Sequence, residues 1–212
     1  MTTFEARNYI IQSLIPRYGE GEATSIARIV LEDRFGVKAD WQANQVIDLH
    51  DLEPILIRLV AGEPVQYVLG EADFFGLKFK VTPAVLIPRQ ETEELVAQVV
   101  LHLKSMALAS PDLLDIGLGS GCIGLTLKKK FPKLKLFGLE KSAEALGVAN
   151  ENKRFVLGDH TADVDFRLGD ILQREAWDTW PTFDVIVSNP PYIPTDEKHL
   201  RRPRRFVLLA PG

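Results

Sequence analysis

The chain has 212 residues, 46% of them hydrophobic, which is enough for one large domain or two small ones with separate cores. Its net charge of -4 gives no general basic character of the kind that coats nucleic acid. The single Cys122 excludes an internal disulfide, the four histidines show no metal spacing, and no apolar run reaches the roughly 20 residues that span a bilayer. We therefore expect a soluble cytoplasmic protein with no metal site and no membrane contact.

The first sixty residues have the apolar spacing of helices. In EATSIARIVLEDRFG the apolar positions recur every three or four residues, and Gly36 is a plausible end. ADWQANQVIDLHDLEPILIRLVAG, residues 39–62, predicts a further helix that ends near Gly62. The period then changes, because LKFKVTP alternates apolar and polar residues as a strand does. With VQYVLG before it and EADFFG between, this segment predicts a β-hairpin.

ETEELVAQVVLHLKSMAL returns to helical spacing and begins near Glu91 or Thr92. From Asp112 onward, short apolar strands alternate with helices: DLLDIG, KLKLFGLE, VDFRLGD and FDVIVS are the four strands. This alternation predicts an α/β fold with a parallel sheet and right-handed crossovers. The predicted organisation is a helical domain over 1–64, a linking hairpin over 65–88 and an α/β domain over 89–212.

Three motifs follow the first three strands and indicate a nucleotide-like ligand. DIGLGSG, residues 115–121, opens a helix, and its glycines allow a tight turn and a close approach of backbone to a ligand. Glu140 ends the next strand, where a carboxylate can hold both hydroxyls of a ribose. Asp170, in GDI, is placed to hold an adenine amine, with Ile171 packing on the ring. Taken singly, a ligand-free turn, a solvated acid and an ordinary loop acid remain alternatives.

NPPY, Asn189 to Tyr192, is the most specific motif, and it follows the fourth strand. Proline keeps the backbone extended and donates no N–H, so two prolines in a row present a rigid rim of carbonyls. The Asn189 side-chain oxygen and the Pro190 carbonyl can each accept a hydrogen bond from one planar NH2 group. Tyr192 can then pack on the flat face of that group. The motif predicts a clamp for an amide or an aromatic amine at the carboxyl edge of the sheet.

DIGLGSG, Glu140, GDI and NPPY in this order resemble class I methyltransferases that use S-adenosylmethionine on planar nitrogens. The segment GEPVQYVLGEADFFGLKFKVTPAVLIPRQETEELV, Gly62 to Val96, narrows the resemblance to the glutamine methyltransferases of peptide-chain release factors. The resemblance runs from the N-terminal helices through NPPYIP. It implies a Rossmann-like domain preceded by a helical substrate-recognition domain. It also implies methylation of the glutamine side-chain amide in the GGQ loop of a release factor, without direct nucleic-acid binding.

By this resemblance, the cofactor-binding residues are Gly117, Leu118, Gly119, Ser120, Gly121, Glu140, Asp170, Ile171 and Asn189. The substrate clamp is Asn189, Pro190, Pro191 and Tyr192, of which Asn189, Pro190 and Tyr192 are the catalytic residues. No general base is assigned, since the sulfonium methyl is already a strong electrophile. Cys122 is interpreted as a packing residue. The chain departs from the family where Leu118 replaces a usual Thr, Glu140 a common Asp and Gln90 a Pro.

After NPPYIP the family continues for three more strands with their helices, whereas this sequence offers TDEKHLRRPRRFVLLAPG. RFVLLA predicts one short strand. We therefore expect a truncated, frameshifted or shortened form whose sheet lacks its last strands and leaves an open apolar edge beside the fourth strand. The cluster Arg201, Arg202, Arg204 and Arg205 is interpreted as a solvated tail.

Two other functions stay open from the residues alone. NPPY also suits an adenine or guanine amine, so a nucleic-acid methyltransferase is one alternative, although the acidic composition and the Gly62–Val96 segment argue against it. The other is a non-catalytic remnant that binds a release factor through its helical domain. Cofactor binding distinguishes this remnant from either enzyme.

Overall fold

The computed structural model describes residues 1–37, 45–106 and 108–190, together with the backbone of Phe206–Leu209. The chain divides into two compact units, Met1–Glu71 and Ala72–Gly212. The elements in chain order are α1 Thr3–Ile29, a π-helical turn Val30–Arg34, α2 Leu49–Ala61, α3 Val65–Leu69, β1 Glu71–Phe74, β2 Leu77–Lys80, α4 Gln90–Ser105, β3 Asp112–Ile116, α5 Cys122–Lys130, β4 Lys135–Glu140, α6 Ala143–Leu157, β5 Val164–Leu168, a 3-10 turn Arg174–Ala176, β6 Val185–Ser188 and β7 Phe206–Leu209.

The first unit is helical, as the sequence predicts. A capping box begins α1, since the Glu5 N–H donates to Thr2 Oγ1 at 3.2 Å and the Thr2 N–H donates to Glu5 Oε2 at 2.8 Å. The backbone leaves helical geometry at Gly19, where φ is 73°, so α1 consists of two segments separated by a kink. The fully buried side chains of this unit form one core: Ala6, Ile10, Leu14, Ala23, Ala27, Val30, Leu31 and Leu52.

The second predicted helix is confirmed at its end and wrong at its start. It ends at Ala61, followed by Gly62 in the left-handed conformation. Residues 45–48 are not helical, because Val46 pairs with Thr2 and the Asp48 carboxylate caps α2 by accepting from the His50 N–H at 2.9 Å. The rest of the predicted start, 39–44, lies outside the described residues.

The hairpin exists, but its first strand is displaced from the predicted segment. VQYVL forms the short helix α3, which follows Pro64 and ends at Gly70 with φ 77°. The first strand is β1, within the stretch predicted as the turn, and Phe75 and Gly76 make the connection to β2. A five-residue apolar run is compatible with either a helical turn or a buried strand. Here the flanking Pro64 and Gly70 favour the helix, since they suit its start and its end. The division into domains over 1–64, 65–88 and 89–212 stays a prediction.

The predicted α/β fold is confirmed, with a five-stranded sheet in the order β5-β4-β3-β6-β7. β3, β4, β5 and β6 run parallel, and β7 is antiparallel to β6. The short strand predicted in RFVLLA is therefore confirmed. The expected open edge beside the fourth strand is wrong, because β7 pairs with β6 along its whole length, from Val185 opposite Leu209 to Ser188 opposite Phe206.

The two faces of the sheet are covered differently. Residues such as Leu113, Leu136 and Val187 face one core, which they share with apolar side chains of α4, α5 and α6. Alternate strand residues face the other side, where they pack against an aromatic segment that includes Trp180 and Phe183. Residues 169–171 directly follow β5, so they lie at the same edge of the sheet as the end of β4.

Asn152, fully buried in α6, connects the hairpin to the turn after β3. Its Nδ2 donates to the Lys80 and Ser120 carbonyls, each at 2.9 Å, and its Oδ1 accepts from the Lys80 N–H at 2.7 Å. These bonds supply partners for three backbone groups, and the bond to the Ser120 carbonyl is buried.

We expect Asn152→Ala to lower the free energy of unfolding by about 2–4 kcal/mol, since it leaves those backbone groups unsatisfied. Urea unfolding of both proteins measures the difference. Asn150→Ala is the matched control, because Asn150, among the residues that the structure describes, donates only to the Leu146 carbonyl of its own helix. Equal stabilities for the two variants would contradict this role of Asn152.

Candidate functional site

A cavity of about 460 Å³ lies at the carboxyl ends of the parallel strands, within the second unit. Its volume falls in the range of about 300–1,000 Å³ that is typical of small-molecule sites. The lining residues are Ala84, Val85, Leu86, Ile116, Gly117, Gly119, Leu139, Glu140, Lys141, Ser142, Ala145, Gly169, Asp170, Ile171 and Asn189. The cavity therefore brings together residues of all four motifs that the sequence analysis selected.

The glycine-rich turn presents bare backbone to this cavity. Gly117 and Gly119 have φ of 75° and 53°, a region that L side chains rarely adopt, and the space where a Cβ would stand is open. The Gly117 N–H donates to the Leu139 carbonyl at 2.8 Å, which attaches the turn to the end of β4. A ligand can thus approach the backbone of the turn without meeting a side chain.

Three predicted residues of the turn face away from the cavity. Leu118 is buried, and its side chain fills the space beside Gly138, where a Cβ would lie 2.7 Å from both of its methyl carbons. Ser120 is buried, and its carbonyl accepts from Asn152. Gly121 is the N-cap of α5, with φ of 76°, and its carbonyl accepts from the Leu125 N–H at 2.9 Å. The family's Thr at 118 is thus replaced by a core leucine on the side away from the cavity.

Glu140 is held by backbone groups on both sides of the cavity. Its Oε2 accepts from the Gly119 N–H at 2.9 Å, and its Oε1 accepts from the Ser142 N–H at 2.9 Å. A carboxylate offers about four acceptor positions, so each oxygen retains one for a ligand. The longer arm of glutamate, compared with the family's aspartate, is fixed in place by these two bonds. This geometry suits a pair of neighbouring hydroxyl groups.

Asp170 lines the cavity but already has partners. Lys141 Nζ donates to its Oδ2 at 2.8 Å, and the Leu172 N–H donates to its Oδ1 at 3.0 Å. The hydrogen bond from Lys141 and that from Leu172 hold the pKa of Asp170 below its usual value. Ile171 also lines the cavity and is partly exposed. A ligand amine at Asp170 would therefore share the carboxylate with Lys141.

Asn189 reaches the cavity from the end of β6. Its Nδ2 donates to Thr92 Oγ1 at 3.1 Å, and Pro190 beside it is exposed. The preceding Ser188 donates through Oγ to the Ile116 carbonyl at 2.9 Å, which holds the ends of β6 and β3 together. Pro191 and Tyr192 lie outside the described residues, so the geometry of the clamp is described for its first two residues.

An apolar segment that belongs to none of the sequence motifs also lines the cavity. Ala84, Val85 and Leu86 line the cavity, and Thr82 holds their turn, since its carbonyl accepts from the Val85 N–H at 3.0 Å. Leu86 is 55% exposed, so much of its apolar side chain is open to a ligand or to solvent. The signal in the sequence was PAVLIP, an apolar run between two prolines that is too short for a predicted strand.

Two buried ionisable groups lie beneath the turn. Burial raises the pKa of the Asp115 carboxyl to about 7; the Gly124 N–H opposes this rise, and the charge on Glu140 adds to it. Asp115 Oδ2 accepts from Gly124 at 3.0 Å, whereas Oδ1 has no hydrogen-bond partner among the described residues. Burial likewise raises the pKa of the Cys122 thiol to about 12, so this thiol stays protonated and acts as a packing group.

We expect Asp115→Asn to change how stability depends on pH. An ordinary aspartate carboxyl has a pKa of 3.8, whereas the pKa of Asp115 in the folded chain is about 7. Between these two pH values the folded state keeps a proton that the unfolded state has lost. The contribution of Asp115 to stability is therefore greatest below about pH 4 and falls as the pH rises to 7. Asparagine can still accept from the Gly124 N–H but cannot ionise.

Relative to the parent chain, the variant should gain about 4 kcal/mol in the free energy of unfolding between pH 4 and pH 8. Urea unfolding at several pH values measures this gain. A difference between the two proteins that stays constant over the whole range would contradict the raised pKa.

The described residues offer neither a membrane span nor a metal cluster. No described helix is long and apolar enough to cross a membrane. Within the same residues, no group of three or more His, Cys, Asp or Glu side chains is arranged to hold a metal ion.

Comparison with known proteins places this geometry in a family context. The family model described as "Methyltransferase small domain" matches residues 94–211. The release factor glutamine methyltransferase of Flavobacterium psychrophilum is 39% identical over 199 residues, covering 91% of this chain and 68% of the relative. That of Bacteroides thetaiotaomicron is also 39% identical over 199 residues, covering 90% of this chain and 67% of the relative. That of Koribacter versatilis is 44% identical over 138 residues, covering 65% and 46%. This chain thus spans about two thirds of the first two relatives.

Proposed function

The chain belongs to the release factor glutamine methyltransferase family, and from that premise we propose that it transfers a methyl group from S-adenosylmethionine to a release-factor glutamine. The acceptor atom is the side-chain amide nitrogen of the glutamine in the GGQ motif. The observation that carries the proposal is the shared cavity of about 460 Å³, which holds the open glycine turn, Glu140 and Asn189 together.

The residues present fit the cofactor. The open space over Gly117 and Gly119 admits a ligand against the backbone, and Glu140 keeps two acceptor positions for a pair of ribose hydroxyls. Val85 and Ile171 supply apolar surface for a flat ring. When bound, S-adenosylmethionine supplies an electrophilic methyl group on a positively charged sulfur, so the reaction requires no nucleophilic side chain.

We assign the substrate end of the site to Asn189, which lines the cavity, and to Pro190, which follows it. The Asn189 Oδ1 and the Pro190 carbonyl are acceptors suited to the two N–H bonds of one primary amide. Amide nitrogen is a poor nucleophile because its lone pair is delocalised, and fixing both N–H bonds aims that lone pair in one direction. Positioning of this kind supplies much of the acceleration. We propose the same clamp role for Pro191 and Tyr192 from the family resemblance.

The helical domain over 1–64 is proposed to recognise the protein substrate. Its unit carries a groove of about 470 Å³ between α1 and α2, lined by Tyr9, Ser13, Glu53, Leu56, Ile57 and Val60. Ile57 is 70% exposed there, and Val60 and Tyr9 are also exposed. Apolar side chains that share an exposed groove are typical of a protein-binding surface.

The first experiment is calorimetric titration of the 212-residue chain with S-adenosylmethionine, followed by methyl transfer to a release factor. We expect saturable binding in the micromolar range and transfer of label. Replacing the GGQ glutamine should abolish the transfer, whereas a nucleic-acid enzyme would label DNA or RNA instead. A folded chain that binds no cofactor would overturn the proposal and leave the remnant hypothesis.

We expect Glu140→Gln to weaken cofactor binding about 10- to 100-fold, because hydrogen bonds to a charged acceptor contribute roughly 1.5–3 kcal/mol. Calorimetry measures the change. Glu144→Gln is the matched control, since Glu144 is an exposed acid in the first turn of α6 and does not line the cavity. An equal effect of both changes would show that general charge, rather than the position of Glu140, sets the affinity.

We expect Ile57→Asp to raise the KM for the release factor about tenfold or more without changing cofactor affinity, since it places a charge in the apolar groove. Steady-state kinetics with varied release factor, beside the cofactor titration, separates the two effects. An unchanged KM would argue against the groove as the docking surface.

A further inference from the structure

Thr92 is a polar residue at a buried position of α4 whose neighbours on the same face are apolar. It lies in the first turn of α4 and is only 6% exposed. It belongs to the buried face of α4, whose other members are apolar: Leu95, Val96, Val99 and Leu103. Its hydroxyl does not cap the helix, because the N-cap residue is Arg89, which makes no side-chain cap bond. Valine would satisfy the packing equally well, so the hydroxyl needs another explanation.

The Thr92 hydroxyl is hydrogen-bonded to the side-chain amide of Asn189, which lies 97 residues further along the chain. Asn189 Nδ2 donates to Thr92 Oγ1 at 3.1 Å, and Asn189 also lines the cavity. With Nδ2 engaged at Thr92, the other end of the amide, Oδ1, remains as the acceptor for a ligand. The Thr92 hydroxyl acts here as the acceptor, so the amide is held with Nδ2 at Thr92 and with Oδ1 as the end left for the cavity.

We propose that Thr92 is a positioning residue that fixes the amide of Asn189 in the orientation that accepts a hydrogen bond from the substrate nitrogen. The inference rests on the proposed function. Without the bond, the amide can turn by 180° and present its own NH2 to the NH2 of the substrate glutamine. Two donors then face each other, the substrate amide loses one of its two acceptors, and the nitrogen lone pair is no longer aimed.

A second buried threonine supplies a matched control. Thr126 in α5 is fully buried in the same unit, and its Oγ1 has no hydrogen-bond partner among the described residues. Thr126 is absent from the cavity lining. Threonine to valine at 126 therefore reproduces the burial and the loss of a hydroxyl, without any change at Asn189.

The experiment compares Thr92→Val, Thr92→Ser and Thr126→Val with the parent chain. Thr92→Val should lower kcat about tenfold, the typical effect of losing one hydrogen bond, while cofactor affinity and the KM for the release factor change less than twofold. Thr92→Ser, which keeps the hydroxyl, should restore kcat to within about threefold of the parent. Thr126→Val should leave kcat unchanged. A kcat for Thr92→Val equal to that of Thr126→Val would overturn the proposal.

A spectroscopic readout tests the bond independently of turnover. In ¹⁵N-labelled protein, the side-chain NH2 signal of Asn189 is assigned by its loss in Asn189→Asp. We expect this signal to shift and its hydrogens to exchange faster in Thr92→Val, and to stay near the parent position in Thr92→Ser and Thr126→Val. An unmoved signal in Thr92→Val would overturn the positioning role. If the parent chain transfers no methyl group, the proposed function fails, and this readout still decides whether Thr92 holds Asn189.

Discussion

The parallel pairing of β3 with β4 and β6 is the constraint on which the site depends. Ile116 lies opposite Leu139 on one side and opposite Ser188 on the other, so the residues that follow these strands emerge at one edge. In the pairing of β4 with β5, Glu140 lies opposite Leu168. Asp170, two residues after Leu168, therefore reaches the same edge. Four segments distant in sequence thus reach one cavity without any long loop, because the register determines where each strand stops.

Hydrogen bonds to backbone groups then fix the positions of the residues at this edge of the sheet. The Gly117 N–H is attached to β4, Glu140 connects the turn after β3 to the start of α6, and Asn152 holds the Ser120 carbonyl. Each bond joins groups that a ligand would otherwise have to order on binding. The site is therefore largely formed before a ligand arrives, which lowers the entropy that binding must overcome.

The sequence predicted the elements and motifs that depend on local pattern. The glycine turn, Glu140, Asp170 and Asn189 each follow a recognisable strand, and parallel strands made their meeting at one edge predictable. The helix at VQYVL was not predictable from periodicity, because a short apolar run fits both helix and strand. The roles of Thr92 and Asn152 were not predictable either, since their partners lie 97 and 72 residues away and only the packed fold brings them together.

Leu118 and Gly138 share one volume between the glycine turn and β4. A Cβ at 138 would lie 2.7 Å from the methyl carbons of Leu118 and 2.7 Å from the Phe166 ring, so this space admits a side chain from only one of the two positions. Variation at the two sites should therefore be coupled: alanine at 138 requires a smaller residue at 118 together with a shift of the Phe166 ring. Grafting a glycine turn with a smaller residue at 118 into this scaffold would leave part of the space beside Gly138 empty.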